Sequence, residues 1–570
     1  MYLIVVCALT LSSISDGFVR IPETGCHFSG FEAEWFGSCL EDESLLRGWP
    51  VNLSSPGAGF PYTPVLCDVD GDGDCEVFLT GGETFGLDGE GNFLPGWPTQ
   101  EQQYMGYAST GQLPGPSAGD MNGDGEPEIM WSTRDWYAGS AHLWTFNGRA
   151  PDGVDLDGFP LSAPDQSSNA LASPFVLGDS DGDGAMEAVT AHTLGNTGDY
   201  YRISGVNYDG DILFTTDLDP NEAILNIYFG DADGDGNEEF FAVTLFDGSF
   251  RLHLLDPDGS HQPGYPVSIY SPGGGYLMLG PPVPTDMDDD GDLEIILGYN
   301  ISSTSYAMAV HHDGSAVTGF PITVATGSQL FYLGMGDVNN DEEPELIAVD
   351  NQLSSDYRIW VIDMDTGTAL SGWPVAIPDW PKGFPTIADL DDDGNQDISF
   401  ATDGGEVHAL SYTGTELAGF PKTMSSASTS GTVVGDIDGD DLYEIVAATW
   451  DGWVYAWDTD GVEADDNRDW PMRGVDARNT GIYRGQGATG IEGASPSVSF
   501  SISCNPVVYS AAFDVAGVTD GPLIEIYDVA GHLRATVEDL WVPDEGCSNG
   551  VYFARLRDSD AMPVKFLLLR

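Results

Sequence analysis

The nine residues DVDGDGDCE, from Asp68 to Glu76, decide the fold of this chain because they recur along it. Seven further copies follow the first, each with acids or their amides in the same places. The eight copies begin at Asp68, Asp120, Asp179, Asp231, Asp286, Asp337, Asp389 and Asp436. Successive copies start 47 to 59 residues apart. A period of this length is typical of repeat proteins in which each unit covers the apolar face of its neighbour.

The surroundings of each copy predict strands. An apolar stretch such as SPFVLG precedes it and a run such as EIVAAT follows it, so the acidic element is expected to join two strands. A third strand then ends at a turn dipeptide such as Asp258-Gly259, whose residues tolerate positive φ. Seven units also carry Gly-aromatic-Pro, first at residues 48–50, and these aromatic rings are expected to pack between units.

Four strands in about 50 residues, repeated eight times, predict an all-β protein with a β-propeller. Eight loops favour eight blades, and seven blades with a stray repeat is the alternative. An open β-solenoid is a further alternative, although its repeats would be shorter. The strand after Gly48 precedes the first loop, so it is expected to complete the last blade and close the ring.

Positions 1, 3, 5 and 9 of each copy carry oxygen side chains, and position 6 is usually glycine. Alternate carboxylates converge on one point when the backbone turns sharply at glycine, which predicts an oxygen-only site for calcium. The closing acid at position 9 distinguishes the loop from an EF-hand, which closes at position 12. The predicted ligands are Asp68, Asp70, Asp72, Glu76, Asp120, Asn122, Asp124, Glu128, Asp179, Asp181, Asp183, Glu187, Asp231, Asp233, Asp235, Glu239, Asp286, Asp288, Asp290, Glu294, Asp337, Asn339, Asp341, Glu345, Asp389, Asp391, Asp393, Asp397, Asp436, Asp438, Asp440 and Glu444.

Two copies depart from this pattern, because Glu342 and Asp441 replace the position-6 glycine in the sixth and eighth loops. The alternative to metal binding is a set of solvated acidic turns. Repetition in every blade favours a structural role for calcium, since a catalytic site is usually unique. Mutual repulsion of the carboxylates also predicts that calcium binding is coupled to folding.

The charge of the chain excludes two classes of partner. Asp and Glu number 92 against 18 Lys and Arg, for a formal net charge of -74. Nucleic acids and polyanionic polysaccharides require basic residues, so a protein or a neutral glycan is the expected ligand. Because 41% of the residues are hydrophobic, the chain is nevertheless expected to fold around large cores.

The ends of the chain suggest an exported protein. Residues 1–15 resemble a secretory signal peptide, with an apolar run too short to span a bilayer. An N-terminal segment (16–47), the propeller (48–485), a small-residue linker (486–497) and a C-terminal β-sandwich (498–570) follow. Without Cys7 of the signal, six cysteines remain and are expected to pair locally, although fifteen connectivities are open. The expected disulfides are Cys26–Cys39, Cys67–Cys75 and Cys504–Cys547.

Two parts of the sequence resemble known families. The acidic repeats, from Gly48 to about Arg484, resemble FG-GAP or VCBS-type calcium-loop blades, a family that includes the propellers of integrin α-chains. The C-terminal part is similar to the sorting domain of the bacterial type IX secretion system, through Asn505-Pro506, IYDVAG, GVYF and the strand that begins at Lys565. That second resemblance implies export across a Gram-negative outer membrane. An immunoglobulin-like adhesion domain is the alternative.

No catalytic motif is present: the sequence lacks His-Glu-x-x-His, Gly-x-Ser-x-Gly and Gly-Lys-Ser/Thr. His311-His312 is interpreted as a solvated loop pair rather than a metal or catalytic site. The predicted function is therefore a monomeric, secreted or cell-surface, calcium-binding propeller that serves adhesion, ligand binding or assembly. The alternative is a secreted enzyme acting on polysaccharide, of lyase or glycosidase type, with its site on the axial face. Convergent Arg, His or Tyr residues there would favour the enzyme.

Overall fold

The computed structural model describes residues 42, 44–53, 63–81, 83–99, 115–135, 143–162, 173–194, 200–271, 276–277, 281–287, 290–341, 343–352, 356–464, 468–472, 474–483, 500–502, 511–515, 524–528, 533–537, 540–541, 550–556 and 564–568. Every regular element among them is a β-strand, which confirms the all-β prediction. The chain forms two compact units, residues 1–489 and 490–570. The predicted signal peptide and the linker lie outside the described residues.

The first unit consists of eight antiparallel sheets, one for each acidic loop. Blades 1 to 4 contain β2 (Val65–Cys67), β3 (Glu76–Thr80) and β4 (Thr84–Leu87); β5 (Ser117–Gly119), β6 (Glu128–Asp135), β7 (Leu143–Arg149) and β8 (Leu161–Ser162); β9 (Val176–Gly178), β10 (Glu187–Leu194), β11 (Tyr200–Val206) and β12 (Ile212–Asp217); and β13 (Ala223–Gly230), β14 (Glu239–Phe246), β15 (Ser249–Leu255) and β16 (Val267–Tyr270).

The remaining blades have the same order. Blades 5 to 8 contain β17 (Tyr276–Leu277), β18 (Val283–Thr285), β19 (Glu294–Ile301), β20 (Thr304–His311) and β21 (Ile322–Thr326); β22 (Gln329–Gly336), β23 (Glu345–Gln352), β24 (Asp356–Asp363), β25 (Thr368–Ala369) and β26 (Val375–Ile377); β27 (Pro381–Ala388), β28 (Asp397–Thr402), β29 (Glu406–Leu410) and β30 (Lys422–Thr423); and β31 (Val433–Gly435), β32 (Leu442–Ala448) and β33 (Trp453–Val462).

The ring closes through the N-terminal strand β1 (Val51–Asn52). It pairs with β33, with Val51 opposite Val454 and Asn52 opposite Trp453, so the eighth sheet has the order β1-β33-β32-β31. This arrangement confirms the predicted closure. Eight blades are therefore formed, and the seven-blade alternative is excluded.

Neighbouring blades are held together by apolar cores and by the aromatic residue of Gly-aromatic-Pro. The indole Nε1 of Trp97 in blade 1 donates to the carbonyl of Pro151 in blade 2 at 3.0 Å, and Trp373 in blade 6 donates to Tyr412 in blade 7 at 2.8 Å. Both indoles are buried. The prediction that these rings pack between blades, rather than form a sugar-binding platform, is confirmed for these residues.

A stretch without regular structure fills the middle of the ring. We call residues 468–472 and 474–483 the central segment. Trp470 exchanges backbone hydrogen bonds with Ile387 of blade 7, and Pro471 accepts one from Val434 of blade 8. The segment then continues around the ring, past blade 1, where Met472 joins the apolar cluster of Leu66.

The rest of the central segment bonds to the remaining blades. The carbonyl oxygens of Ala477, Arg478 and Thr480 accept N–H groups from blades 2, 3 and 4, and the N–H of Tyr483 donates to Pro284 of blade 5 at 3.0 Å. The Asp469 carboxylate accepts the N–H of Asp337 in blade 6 at 2.6 Å. One short segment therefore contacts the first strand, or the residue that follows it, in every blade.

The second unit contains two antiparallel sheets, as a sandwich requires. Its strands are β34 (Phe500–Ile502), β35 (Ala511–Val515), β36 (Ile524–Asp528), β37 (Leu533–Val537), β38 (Leu540–Trp541), β39 (Gly550–Leu556) and β40 (Val564–Leu568). One sheet has the order β34-β35-β38 and the other β37-β36-β39-β40. The predicted IYDVAG, GVYF and Lys565 segments thus contribute to the central and edge strands of the larger sheet.

The cysteines correct one prediction. Cys67 and Cys75 are free thiols, so the expected Cys67–Cys75 disulfide is not formed. In the strand register Cys67 is opposite Glu76, whereas Cys75 precedes β3 and donates its backbone N–H to Asp436 of the eighth loop. Burial raises the pKa of the Cys75 thiol to about 12. Cys26, Cys39, Cys504 and Cys547 lie outside the described residues.

Candidate metal centre

Each acidic loop connects the first strand of its blade, β18 in blade 5, to the following strand of the sheet, as predicted. The acid at position 9 begins that following strand in seven loops, and in the eighth Glu444 lies within β32. Its Oε2 (Oδ2 in Asp397) accepts the backbone N–H of position 2 in all eight loops, at 2.8 to 3.4 Å. This bond fixes the closing carboxylate at the base of the loop.

Two further sets of hydrogen bonds fold the loop around its own acids. The position-5 carboxylate accepts the N–H of position 7 in all eight loops, at 2.8 to 3.1 Å. The position-1 carboxylate accepts the N–H of position 6, at 2.8 to 3.1 Å, in all seven loops whose position-6 residue is described. The eight loops therefore share one geometry, although their sequences differ.

The backbone geometry shows a requirement that was not predicted. Position 6 has positive φ in the seven loops where it is described, as expected from its glycines, and in the eighth loop Asp441 adopts φ 64°. Position 4 also has positive φ in the seven loops where it is described, for example 74° at Gly182, and in the sixth and seventh loops Asn340 and Asp392 adopt 55° and 56°. Asn and Asp tolerate this conformation better than other L-residues. The signal was present in the sequence, because position 4 is Gly, Asn or Asp in every copy.

The predicted ligands do converge in several loops. Side-chain oxygens lie within 4.8 Å of one another in the fourth loop, where all four predicted acids take part. Three of the four predicted residues meet this distance in each of the first, third and seventh loops: Asp68, Asp70, Glu76; Asp179, Asp181, Glu187; and Asp389, Asp391, Asp397. Asp288 of the fifth loop lies outside the described residues.

The second and sixth loops hold an amide at position 3. Asn122 Nδ2 donates to Glu128 Oε1 at 2.7 Å, and Asn339 Nδ2 donates to Glu345 Oε1 at 2.8 Å. The amide thus reaches the same carboxylate oxygen that the loop would offer to a cation. Rotation of the amide by 180° about χ2 presents its oxygen instead, and calcium accepts amide oxygens as ligands.

The closing acids are buried, and the pKa values of the seven outside blade 5 are raised. Burial, and then repulsion from the other loop carboxylates, raises the pKa of Glu239 to about 7, of Glu345 and Asp397 to about 8 and of Glu444 to about 9. A divalent cation would relieve both effects, because it neutralises charge that the protein itself does not neutralise.

The donor set fits calcium on a structural criterion as well. Asp233 Oδ1 in the fourth loop, and Glu444 Oε1 and Asp458 Oδ1 in the eighth, are buried and have no hydrogen-bond partner within the described part of the chain. Buried polar atoms are almost always hydrogen-bonded, so such oxygens indicate a missing ligand. All three are hard carboxylate donors, which calcium prefers.

Sequence reasoning missed one group of acids. In the strand register, Glu444 is opposite Asp458 and Glu345 is opposite Asp363, so each of these loops receives an extra carboxylate from the neighbouring strand. Asp458 and Asp363 contribute to the raised pKa values of Glu444 and Glu345. In blade 5 the same position is occupied by His311, opposite Glu294.

His311 and His312 are not the solvated pair that the sequence suggested. Each side chain is 24% exposed, and both contact carboxylates. The sequence could not show this, because Asp292 and Glu294 come before the hairpin turn, and only the pairing of β19 with β20 brings them beside the histidines.

The acidic loops also contact one another. The N–H of Cys75 in the first loop donates to Asp436 in the eighth at 2.9 Å, and Met186 in the third donates to Asp120 in the second at 3.0 Å. Loops 4 and 5, and loops 6 and 7, are joined in the same way, through Leu293 to Ala232 and Gln396 to Val338. Adjacent loops are thus coupled in pairs through the backbone.

The middle of the ring shows no catalytic constellation among the described residues. A pocket beside the central segment has neither Arg nor His in its lining, which consists of Asn226, Tyr228, Val283, Phe384, Trp470, Asn479 and Gly and Pro residues. Arg202, Arg251 and Arg358 are instead paired with acids of their own blades. The described part of the chain contains no helix that could cross a membrane.

No protein-family model matches the chain, and no curated protein matches it. Solved structures do resemble it. One is the rhamnogalacturonan lyase YesW, at 15% identity, 77% coverage of this chain, 92% of that chain and a TM-score of 0.41. Another is Sqt1 of Saccharomyces cerevisiae, at 10% identity, 73% and 99% coverage and a TM-score of 0.42. A third is BamB of Moraxella catarrhalis, at 14% identity, 72% and 100% coverage and a TM-score of 0.34. At these TM-scores the likenesses carry no argument, so the propeller rests on the strand pairing of this chain itself.

Proposed function

We propose that this chain is a calcium-binding β-propeller that acts outside the cell in adhesion, ligand binding or assembly, without catalysis of its own. One observation carries the proposal: eight loops of different sequence adopt one hydrogen-bonded geometry around inward-facing carboxylates. Acidic turns that served only solubility would have no reason to hold the same oxygens in the same places. Calcium in these loops stabilises the blades, and the assembled ring presents the binding surface.

The extracellular location is part of this proposal. Millimolar calcium outside cells would fill loops of moderate affinity, whereas cytosolic calcium would leave them empty. The signal-like N-terminus and the motifs of the C-terminal unit support export through a type IX secretion route. Removal of residues 498–570 is expected to retain the protein inside the cell envelope; normal export of the shortened chain would argue against the sorting role.

The ligand is expected to be a protein or a neutral glycan, because the chain carries few cations and arginines such as Arg202 and Arg358 are paired with acids. The polysaccharide-cleaving alternative is less favoured, because the central pocket contains neither Arg nor His and its one tyrosine, Tyr228, donates its hydroxyl to the carbonyl of Pro282 at 2.6 Å.

The calcium count tests the proposal directly. The full chain, stripped with EGTA and dialysed against radioactive calcium, is expected to bind several ions, up to one for each of the eight blades. The variant Asp231→Asn/Asp233→Asn should bind one fewer, and Asp258→Asn, an exposed turn residue outside the loops, should bind the same number as the unmodified chain. Binding of no calcium, or equal binding by all three proteins, would contradict the proposal. A glycan array probed with the calcium-loaded chain then addresses the ligand.

A further inference from the structure

Blade 5 differs from its neighbours at one position. In blades 6 and 8, the residue opposite the closing acid of the loop is Asp363 or Asp458. In blade 5 that residue is His311, opposite Glu294. An imidazole nitrogen therefore stands where two other blades offer a carboxylate oxygen.

The surroundings of His311 form a compact mixed cluster. Its Nδ1 lies 2.6 Å from Glu294 Oε1 and 3.7 Å from Asp292 Oδ1. The three side chains place ligand atoms within 4.8 Å of one another. Glu294 is fully buried, and Asp292 Oδ1 is a buried atom that has no hydrogen-bond partner among the described residues. The cluster thus points an unsatisfied oxygen toward a nitrogen donor.

His312 extends the cluster on its open side. Its Nε2 lies 3.5 Å from Asp292 Oδ2, and its Nδ1 lies 2.8 Å from the hydroxyl of Tyr265 in blade 4. A histidine held through one ring nitrogen presents the other in a fixed direction, which is the usual arrangement around a bound metal. Asp292 therefore has a histidine on each side.

We propose that blade 5 holds a transition-metal site of the zinc type, with His311 Nδ1, Glu294 and Asp292 as ligands and His312 beside the fourth position. Calcium takes oxygen ligands, whereas imidazole suits zinc and its neighbours, so the exchange of Asp for His changes the metal that the blade prefers. Two carboxylates balance the charge of a divalent ion.

The distances agree with this assignment. Two ligands of one tetrahedral zinc ion lie about 3.3 Å apart, given bonds of about 2.0 Å. His311 Nδ1 lies 3.7 Å from Asp292 Oδ1, close to that value. His311 Nδ1 and Glu294 Oε1 are 2.6 Å apart, so these two atoms need to separate by less than about 1 Å to admit the ion. The carboxylate is already directed at the ring, because the other oxygen of Glu294 accepts the N–H of Met287 at 2.8 Å.

The inference does not depend on calcium in the other loops, and its test is made in saturating calcium so that oxygen-only sites are filled. Zinc chloride is titrated into the full chain by calorimetry. One tight zinc equivalent is expected for the unmodified protein. His311→Asn removes a proposed ligand and should weaken zinc binding by more than about 100-fold, since loss of an outer-shell partner alone costs about 10- to 100-fold. His311→Asp, which restores the residue type found in blades 6 and 8, should lose zinc and keep the calcium-dependent melting temperature.

A second histidine pair supplies the matched control. His253 and His261 in blade 4 are hydrogen-bonded to each other at 2.8 Å, so His261→Asn removes an imidazole of similar environment without touching blade 5. The zinc affinity of the His261→Asn variant should equal that of the unmodified protein. A zinc affinity of His311→Asn equal to that of the unmodified protein would overturn the proposal, as would the absence of zinc binding by the unmodified protein. So would an X-ray absorption spectrum of the zinc-loaded, unmodified protein that shows only oxygen neighbours, a result that does not require any variant to fold.

Discussion

Removal of calcium gives the largest effect that the structure predicts. In the fourth loop, four carboxylates hold oxygens within 4.8 Å of one another. At an effective dielectric of about 20, each charged pair at about 5 Å repels by about 3 kcal/mol. Six such pairs exceed the stability of an ordinary domain, which is about 5–15 kcal/mol. Without metal, the loop must therefore take up protons or open.

The size of the effect on melting follows from the number of convergent loops. A ligand present at 100 times its dissociation constant stabilises the folded state by about 2.7 kcal/mol per site. The unfolding entropy of the roughly 440 residues of the propeller is about 0.9 kcal/mol/K, so one site shifts the melting temperature by about 3 °C. The four loops whose predicted acids converge should then contribute about 12 °C.

Differential scanning calorimetry at pH 8, in 1 mM calcium and in excess EGTA, measures this shift. Magnesium should restore little of it, since magnesium demands a tighter octahedral shell. Asp179→Asn should lose about 3 °C of the calcium-dependent part, and Asp258→Asn, in an exposed turn, should lose none. The same melting curve in calcium and EGTA would refute the reasoning, as would an equal loss in both variants.

Three further predictions concern the loops and the central segment. Burial holds the pKa of Glu345 and Asp397 at about 8 against ordinary values of 4.5 and 3.8, so the metal-free folded protein binds more protons than the unfolded chain between those values. Its stability should fall as pH rises from 5 to about 8, and calcium should abolish this trend; a melting temperature that rises with pH in EGTA would contradict it. Trp470→Ala, which removes a side chain only 4% exposed, should cost about 3–5 kcal/mol by chemical denaturation, whereas Tyr200→Ala, at 45% exposure, should cost less than 1 kcal/mol; equal costs would mean that the central segment does not stabilise the ring. Gly182→Ala should lower stability in calcium by about 1–2 kcal/mol because φ is 74° there with no atom crowding the position, and Gly182→Asn should lose less; an equal loss in both variants would show that backbone conformation is not the cause.

The strand order and the ring closure could be predicted from the sequence because their signals are local. The acids, the Gly-aromatic-Pro elements and the turn dipeptides recur within each unit. The strand after Gly48 precedes the first acidic loop, so it was expected to complete the last blade. The shared loop geometry was likewise predictable, although the left-handed position 4 was overlooked at Gly182 and Asn340.

What could not be predicted depends on contacts between distant residues. The partner of a closing acid across the sheet is 18 residues away for Asp363, 14 for Asp458 and 17 for His311, so no fixed spacing identifies it. The length of the intervening hairpin decides the register. Cys67 illustrates the same point, since its partner across the sheet is Glu76 and not Cys75.

The central segment is the clearest case. Its residues show no alternation of apolar and polar side chains, and its bonds reach far along the chain: Asp337 to Asp469 spans 132 residues, and Asn479 to Phe175 spans 304. Nothing in a sequence period indicates that a segment after the last repeat will return to contact all of the repeats.

The position of the central segment in the chain also fixes the order in which the propeller can be completed during synthesis. It follows all eight blades, so the first strands of the blades emerge from the ribosome long before their partners in residues 468–483 exist. The contacts between the blades and the central segment therefore cannot form until residues 468–483 have been synthesised. A chain that stops before Asp469 would therefore carry eight complete repeats and still lack the contacts that join their inner edges.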